Sequence, residues 1–283
     1  MPVLKKRDAG TPAAIGRPSR PGRTLLDPSA LAERVHRSHL HPSTELAPFV
    51  SIGWMLRWDL PARDAFVQHV LPDPCVQIIV EAGGAYVMGV VTSLFSATLT
   101  GSRCVFGLKF RPGGFHPFIR RPVAALTNRT VRLAETFPSA DEPRLQDFAA
   151  AADGRGVMAA LEGLLCNAAP TLTAPLQDVQ RVAERIAGDP AMLTVEHVSR
   201  VFGIGPRSLQ RLFRTYVGAG PKWMIRLYRI KEAAARIEAG NVVDWADLAG
   251  QLGYADQSHF INDFRRLVGR SPGEYAVSRG KDG

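Results

Sequence analysis

Arg207, Gln210, Arg211 and Arg214 stand at i, i+3, i+4 and i+7, a spacing that places them in one stripe along a helix. Such a stripe can form paired hydrogen bonds to base edges. A guanidinium matches the O6 and N7 acceptors of guanine, and a carboxamide matches the N6 donor and N7 acceptor of adenine, both in the major groove. Gln257, Ser258, Asn262 and Arg265 form a second outward set farther along the chain. A solvated helix face would explain either set alone, so their weight depends on the elements that carry them.

Those elements are copies of one another. Residues 213–221 read FRTYVGAGP and residues 264–272 read FRRLVGRSP, both F-R-x-x-V-G-x-x-P. Upstream, Val195, Val198, Phe202 and Gly203 answer to Trp245, Leu248, Leu252 and Gly253, with one extra residue in the second turn. A fixed-period repeat signals a duplicated supersecondary unit. Each copy opens with a short amphipathic helix (Val195–Phe202; Trp245–Leu252) and ends it at a glycine, which enters the left-handed region at no steric cost. A second helix then begins near Pro206 or Asp256; proline is tolerated at a first helical position, and aspartate caps free N–H groups. Leu209, Leu212, Phe213 and Tyr216 share its inner face in the first copy, and Phe260, Phe264, Leu267 and Val268 in the second. This is the grammar of a helix-turn-helix, twice over. Between the copies Pro221–Ala239 reads as one helix ending at Gly240. Its roughly nineteen residues span about 28 Å, which with the width of each unit suits successive major grooves about 34 Å apart.

Charge follows the same division. Residues 1–24 hold six Lys/Arg against one acid, residues 25–175 thirteen of each sign, and residues 176–283 sixteen bases against twelve acids. A neutral middle between two basic ends suits a polyanion at the ends. The first 24 residues, rich in Pro, Gly and Arg, predict a disordered basic arm. Residues 25–168 predict a β-rich domain with strands at Cys75–Val80, Ala85–Val91, Leu94–Leu99 and Cys104–Phe110, closed by two helices split at Asp153-Gly154. Residues 169–175 predict a linker, and 176–283 an all-α module, so the fold class expected is α+β. The apolar run Val76–Phe95 carries Glu81 and is broken by Gly83-Gly84; it reads as two strands around a turn, with no membrane role expected. Cys75, Cys104 and Cys166 are dispersed without metal or disulfide spacing, which fits a reducing cytoplasm.

The carrying segments LQRLFRTYVGAGPKWMIRLYRIKEAAARI and WADLAGQLGYADQSHFINDFRRLVGRSPGEY resemble the AraC/XylS family of transcription regulators. In the second, Gly253-Tyr254, Ser258-His259-Phe260, Phe264-Arg265, Gly269, Pro272 and Tyr275 are in register with the family signature. The resemblance implies that Arg207, Gln210 and Arg211 face bases in one groove, and Gln257, Ser258 and Asn262 in the next. It implies double-stranded DNA and RNA polymerase as partners, with a small-molecule effector and pairing of two chains as open possibilities. One departure is Ile261-Asn262, where family members often carry Ser-Arg, leaving an amide reader in the second unit. The segments Leu71-Pro72-Asp73, Lys109-Phe110-Arg111-Pro112-Gly113 and His116-Pro117-Phe118 resemble those of a subgroup whose β-rich domain is poorly characterised.

Other candidate sites are weaker. Lys109, Arg111 and His116 form the densest polar group of the first domain and could receive an anionic effector; a strand ending in a Pro-Gly-Gly turn with aromatic packing explains them equally well. His36, His39 and His41 lack the further ligands that zinc requires, and His259 reads as a packing or capping residue, so no metal or cofactor is expected. Cys75 reads as a small buried residue, and Trp54 and Trp58 as a core strand or pocket wall. The function expected is sequence-specific transcriptional regulation in the cytoplasm by a chain that is not an enzyme. The competing reading is a DNA-targeted repair-type enzyme with a catalytic first domain, for which no Ser/His/Asp or paired-carboxylate arrangement emerges. A shape-driven architectural protein is disfavoured by the amides on both outward faces.

Overall fold

The computed structural model describes residues 35–61, 64–240 and 244–280, so the basic arm expected at 1–24 lies outside the described residues. The first domain is built on an antiparallel sheet of six strands in the order β1-β2-β7-β4-β5-β8. These are β1 (Val35–Leu40), β2 (Val50–Asp59), β4 (Gln77–Glu81), β5 (Gly84–Met88), β7 (Ser102–Phe110) and β8 (Thr130–Arg132). The remaining strands, β3 (Ala65–Val70) and β6 (Phe95–Thr100), pair with each other as a separate two-stranded sheet. The four expected strands are present within a residue or three of their expected bounds. Of the other four, β2 holds the Trp54–Trp58 segment read as a core strand or pocket wall, β3 and β8 were not among the expected strands, and β1 carries His36 and His39 on an exposed edge.

Alternation along each strand sends side chains to opposite faces. On one face of the large sheet Trp54, Leu56, Trp58, Ile79 and Val105 pack against Val70, Phe95, Ala97 and Leu99 of the small sheet. Both tryptophans are therefore core residues; Trp54 donates from Nε1 to Gln77 Oε1 at 3.0 Å. On the other face Ile78, Val80, Phe106, Leu108 and Phe110 meet helices α3 (Glu142–Ala150) and α4 (Gly154–Asn167), which are split where expected, at Asp153. Two one-turn helices, α1 (His116–Ile119) and α2 (Leu133–Thr136), complete this layer. The expected linker is shorter than 169–175, because α5 (Ala174–Gly188) begins within it, with Pro175 in its first turn.

The C-terminal module continues with α6 (Val195–Phe202), α7 (Pro206–Tyr216), α8 (Pro221–Glu238), α9 (Trp245–Gln251), α10 (Gln257–Val268) and α11 (Pro272–Gly280). Its two halves have separate cores that share α8. The N-terminal half of α8 gives Met224, Ile225 and Tyr228 to Val198, Leu209 and Phe213; the C-terminal half gives Ile230, Ala233, Ala234 and Ile237 to Leu248, Phe260 and Phe264.

The first domain is docked on this module along a continuous seam. Gln180 donates to the Pro48 carbonyl at 2.8 Å, Thr127 to the Gly218 carbonyl at 2.6 Å, and Trp223 Nε1 to the Thr92 carbonyl at 3.2 Å. Leu71 enters the core of the second unit. At the centre Asp73 pairs with Lys109 of its own domain and, at 3.5 Å, with Lys231 of α8. All three are buried, at 8%, 2% and, for the Lys231 side chain, 9% exposure. Burial pushes the Asp73 pKa up, but the two ammonium groups outweigh it and hold the carboxyl below its ordinary value. Burial lowers the Lys231 pKa, with Asp73 opposing the shift. The same burial, reinforced by Asp73, pushes the neighbouring Cys75 thiol up to about 12, so it holds no thiolate at neutral pH.

Removing one member of a buried ion cluster leaves charge without a counter-ion. Asp73→Ala should therefore cost about 3–5 kcal/mol in denaturant unfolding of the full chain. A loss below about 1 kcal/mol, the scale of a surface pair, would contradict that. Because the folded pKa of Asp73 is depressed, its contribution should be fully present above the ordinary carboxylate range and disappear as pH falls through the lowered value.

Candidate nucleic-acid interface

Each recognition helix is positioned by a capped, glycine-ended partner. Thr194 Oγ1 accepts from the His197 amide at 3.0 Å to start α6, and Gly203, at φ +64°, ends it. The turn is closed by Ser199, whose hydroxyl donates to the Ile204 carbonyl at 2.7 Å. Pro206 then opens α7. In the second unit Asp244 accepts from Ala246 N at 2.6 Å to start α9, and Gly253, at φ +72°, makes the turn. Asp256 starts α10 by accepting from the His259 amide at 2.7 Å. Helix α11 closes the unit: Tyr275 is buried and donates from its hydroxyl to Glu238 of α8 at 2.5 Å.

This framework buries Leu209 and Phe213 of α7 and Phe260, Phe264, Leu267 and Val268 of α10. Helical geometry then turns the opposite faces outward. Arg207, Gln210, Arg211 and Arg214 are all exposed, as are Gln257, Ser258, Asn262 and Arg265. The Gln210 side chain lies beside the backbone at Gly220. Ile261 is half-buried and packs against the second core, so the departure at 261–262 puts an apolar residue inward and an amide outward. His259 stacks edge-on against Tyr254, with ring centroids 5.3 Å apart, and lies 3.7 Å from Asp263, a packing arrangement.

The three polar residues considered for an effector are brought to the domain seam, but to different partners. Lys109 is buried against Asp73. Arg111 donates from Nε to the Ala47 carbonyl at 2.7 Å and lies 3.8 Å from Glu184 of α5. His116 lies over Tyr216 at the end of α7, with centroids 4.1 Å apart, and burial lowers its pKa. The aromatic packing expected around them is present, with Phe110 edge-on to both Phe115 and Phe118. Sequence reasoning missed Asp73 and Lys231 as a linked pair, 158 positions apart.

Residues 198–277 match the model of a helix-turn-helix domain, and residues 38–132 match a domain of unknown function. NphR, a transcriptional activator of Rhodococcus sp., is 32% identical over 159 residues, 54% of this chain and 46% of its own length. GlxA, an HTH-type transcriptional regulator of Rhizobium meliloti (strain 1021), is 32% identical over 37% of this chain and 30% of its own length. An AraC-like transcription regulator of Streptomyces lividans is 32% identical over 31% of this chain and 29% of its own length. The chain thus spans less than half the length of these relatives. The solved structure of the K231A variant of apo ToxT from Vibrio cholerae strain SCE256 aligns over 84% of this chain and 99% of its own at 13% identity and a TM-score of 0.38. The C-terminal module is a helix-turn-helix domain similar to those of these regulators, and the β-rich domain ahead of it matches a family described only as a domain of unknown function. Among the described residues no helix is long and apolar enough to cross a membrane.

The Asp256 cap fixes the first turn of α10, from which Gln257 and Ser258 project. Asp256→Ala should lower the unfolding free energy by about 1 kcal/mol and weaken binding to specific DNA more than binding to random DNA. Unchanged stability in denaturant titration would show that the cap bears no load.

Proposed function

We propose that this chain is a sequence-specific DNA-binding transcriptional regulator that places α7 and α10 in successive major grooves on one side of the duplex. The observation that carries this is the joint exposure of two polar faces, Arg207, Gln210, Arg211 and Arg214 on one recognition helix and Gln257, Ser258, Asn262 and Arg265 on the other. Helix α8, 18 residues and about 27 Å long, carries both units on its two halves. The fit to successive grooves is supported by this arrangement and by the helix-turn-helix match. In this proposal the arginines bind guanine and the amides adenine, no residue performs catalysis, and the protein acts on DNA in the cytoplasm. RNA polymerase as a partner, pairing of two chains and control by a small molecule belong to the same proposal. An effector engaging Lys109, Arg111 or His116 would act on the seam that joins the first domain to the module, because each of these residues touches it or is one step from it.

Arg211→Ala tests base reading. It should weaken binding to the preferred site by about 1–3 kcal/mol and relax the preference at one base pair. Equal losses on preferred and random duplexes, measured by fluorescence anisotropy at fixed salt, would reduce Arg211 to a phosphate contact.

A further inference from the structure

Each helix-turn-helix unit has its own core, and the two cores are strung along the shared helix α8, so the setting of one unit against the other also depends on what meets at their junction. A cavity of about 280 Å³ lies between the units there, lined by Thr194, Glu196, Lys222, His259 and Asp263 among others, so close apolar packing does not fill the junction. Arg229 lies at this junction, on α8 between the part that serves the first core and the part that serves the second. One guanidinium nitrogen donates to the carbonyl of Leu193, the residue just ahead of the Thr194 cap of α6. Another donates to the carbonyl of Gly253, in the turn of the second unit, at 3.4 Å. The ring of Tyr254 lies 5.2 Å from its centre. Leu193 also packs on Gly253 so closely that a Cβ there would stand 3.0 Å from its methyl group. Arg229 is thus bonded to both units where they meet. The nearby Arg226–Asp263 pair, at 3.0 Å, ties α10 to the half of α8 that serves the first core, but it bonds to neither turn.

We propose that Arg229 is the positioning residue that sets the spacing between the two reading helices, and so the number of base pairs tolerated between the two blocks of a bound site. This rests on the two-groove reading proposed above. A planar fork can serve two diverging carbonyls at once, which the compact ammonium of lysine cannot do with one geometry. Loss of the fork leaves each unit folded on its own core and joined through α8, and frees the two turns to shift against each other.

The test is selection of bound duplexes from a random library by the full chain, comparing wild type, Arg229→Met and Arg229→Lys at one salt concentration. Wild type should enrich two blocks at one sharp spacing. The methionine variant should enrich the same two blocks, with the preference for the best spacing over its neighbours reduced about tenfold, the factor that one hydrogen bond from a charged donor supports. Lysine should fall between the two, and it carries the test if the melting curve shows the methionine variant unfolded. Wild-type sharpness in the folded variants would overturn the role of Arg229. A single block from the wild type would overturn the two-groove reading itself, and this inference with it.

Discussion

Two lysines buried at one place require a carboxylate, and Asp73 is the one that reaches both. An ammonium group moved from water into a protein interior without a counter-charge loses several kcal/mol of hydration. Lys231 can therefore stay charged at the seam only while the first domain presents Asp73 to it. That requirement fixes α8, and α8 supplies both cores of the DNA-binding module. The β-rich domain is in this sense part of the frame on which the recognition helices are mounted.

The position of the frame matters as much as its rigidity. The first domain touches the ends of the recognition helices remote from their first turns: His116 lies on Tyr216, Thr127 bonds to Gly218, and Leu94 packs at Gly269. The outward faces of α7 and α10 are left exposed. A change in the first domain could reach both helices from behind without occupying the surface proposed to meet DNA. The seam combines buried charge with ordinary hydrogen bonds to carbonyls, so it is sensitive to any group that competes for Asp73, Lys109 or Lys231.

The module was legible in the sequence because its determinants are local. The Asp256 cap, Pro206 at a first helical position, glycines at 203 and 253, and apolar residues at helical spacing each act within a few positions, and together they specify helices, turns and the outward faces. In the first domain β4, β5, β6 and β7 were legible from alternation and turn residues. Strand β1 was not, since an edge strand with its side chains exposed carries no apolar signal, and VHRSHL reads as a polar segment. The seam was illegible for another reason. Lys109, Arg111 and His116 stand out as polar residues in an apolar context, which suggests a ligand; the groups that answer them lie far from them in the chain, at Asp73, Glu184 and Tyr216. Arg229 is hidden in the same way: in sequence it is one of several cations on a helix, and only the fold brings Leu193 and Gly253 to it.

The central claim is that one chain reads two grooves. It is tested most directly by isolating the DNA site preferred by the full-length protein at physiological salt and weighing the resulting complex by native mass spectrometry. One chain on a duplex with two unlike blocks, about one helical turn apart, is the expected result. Two chains on an inverted repeat, with a single block for each, would contradict it and would leave the second unit as a backbone clamp.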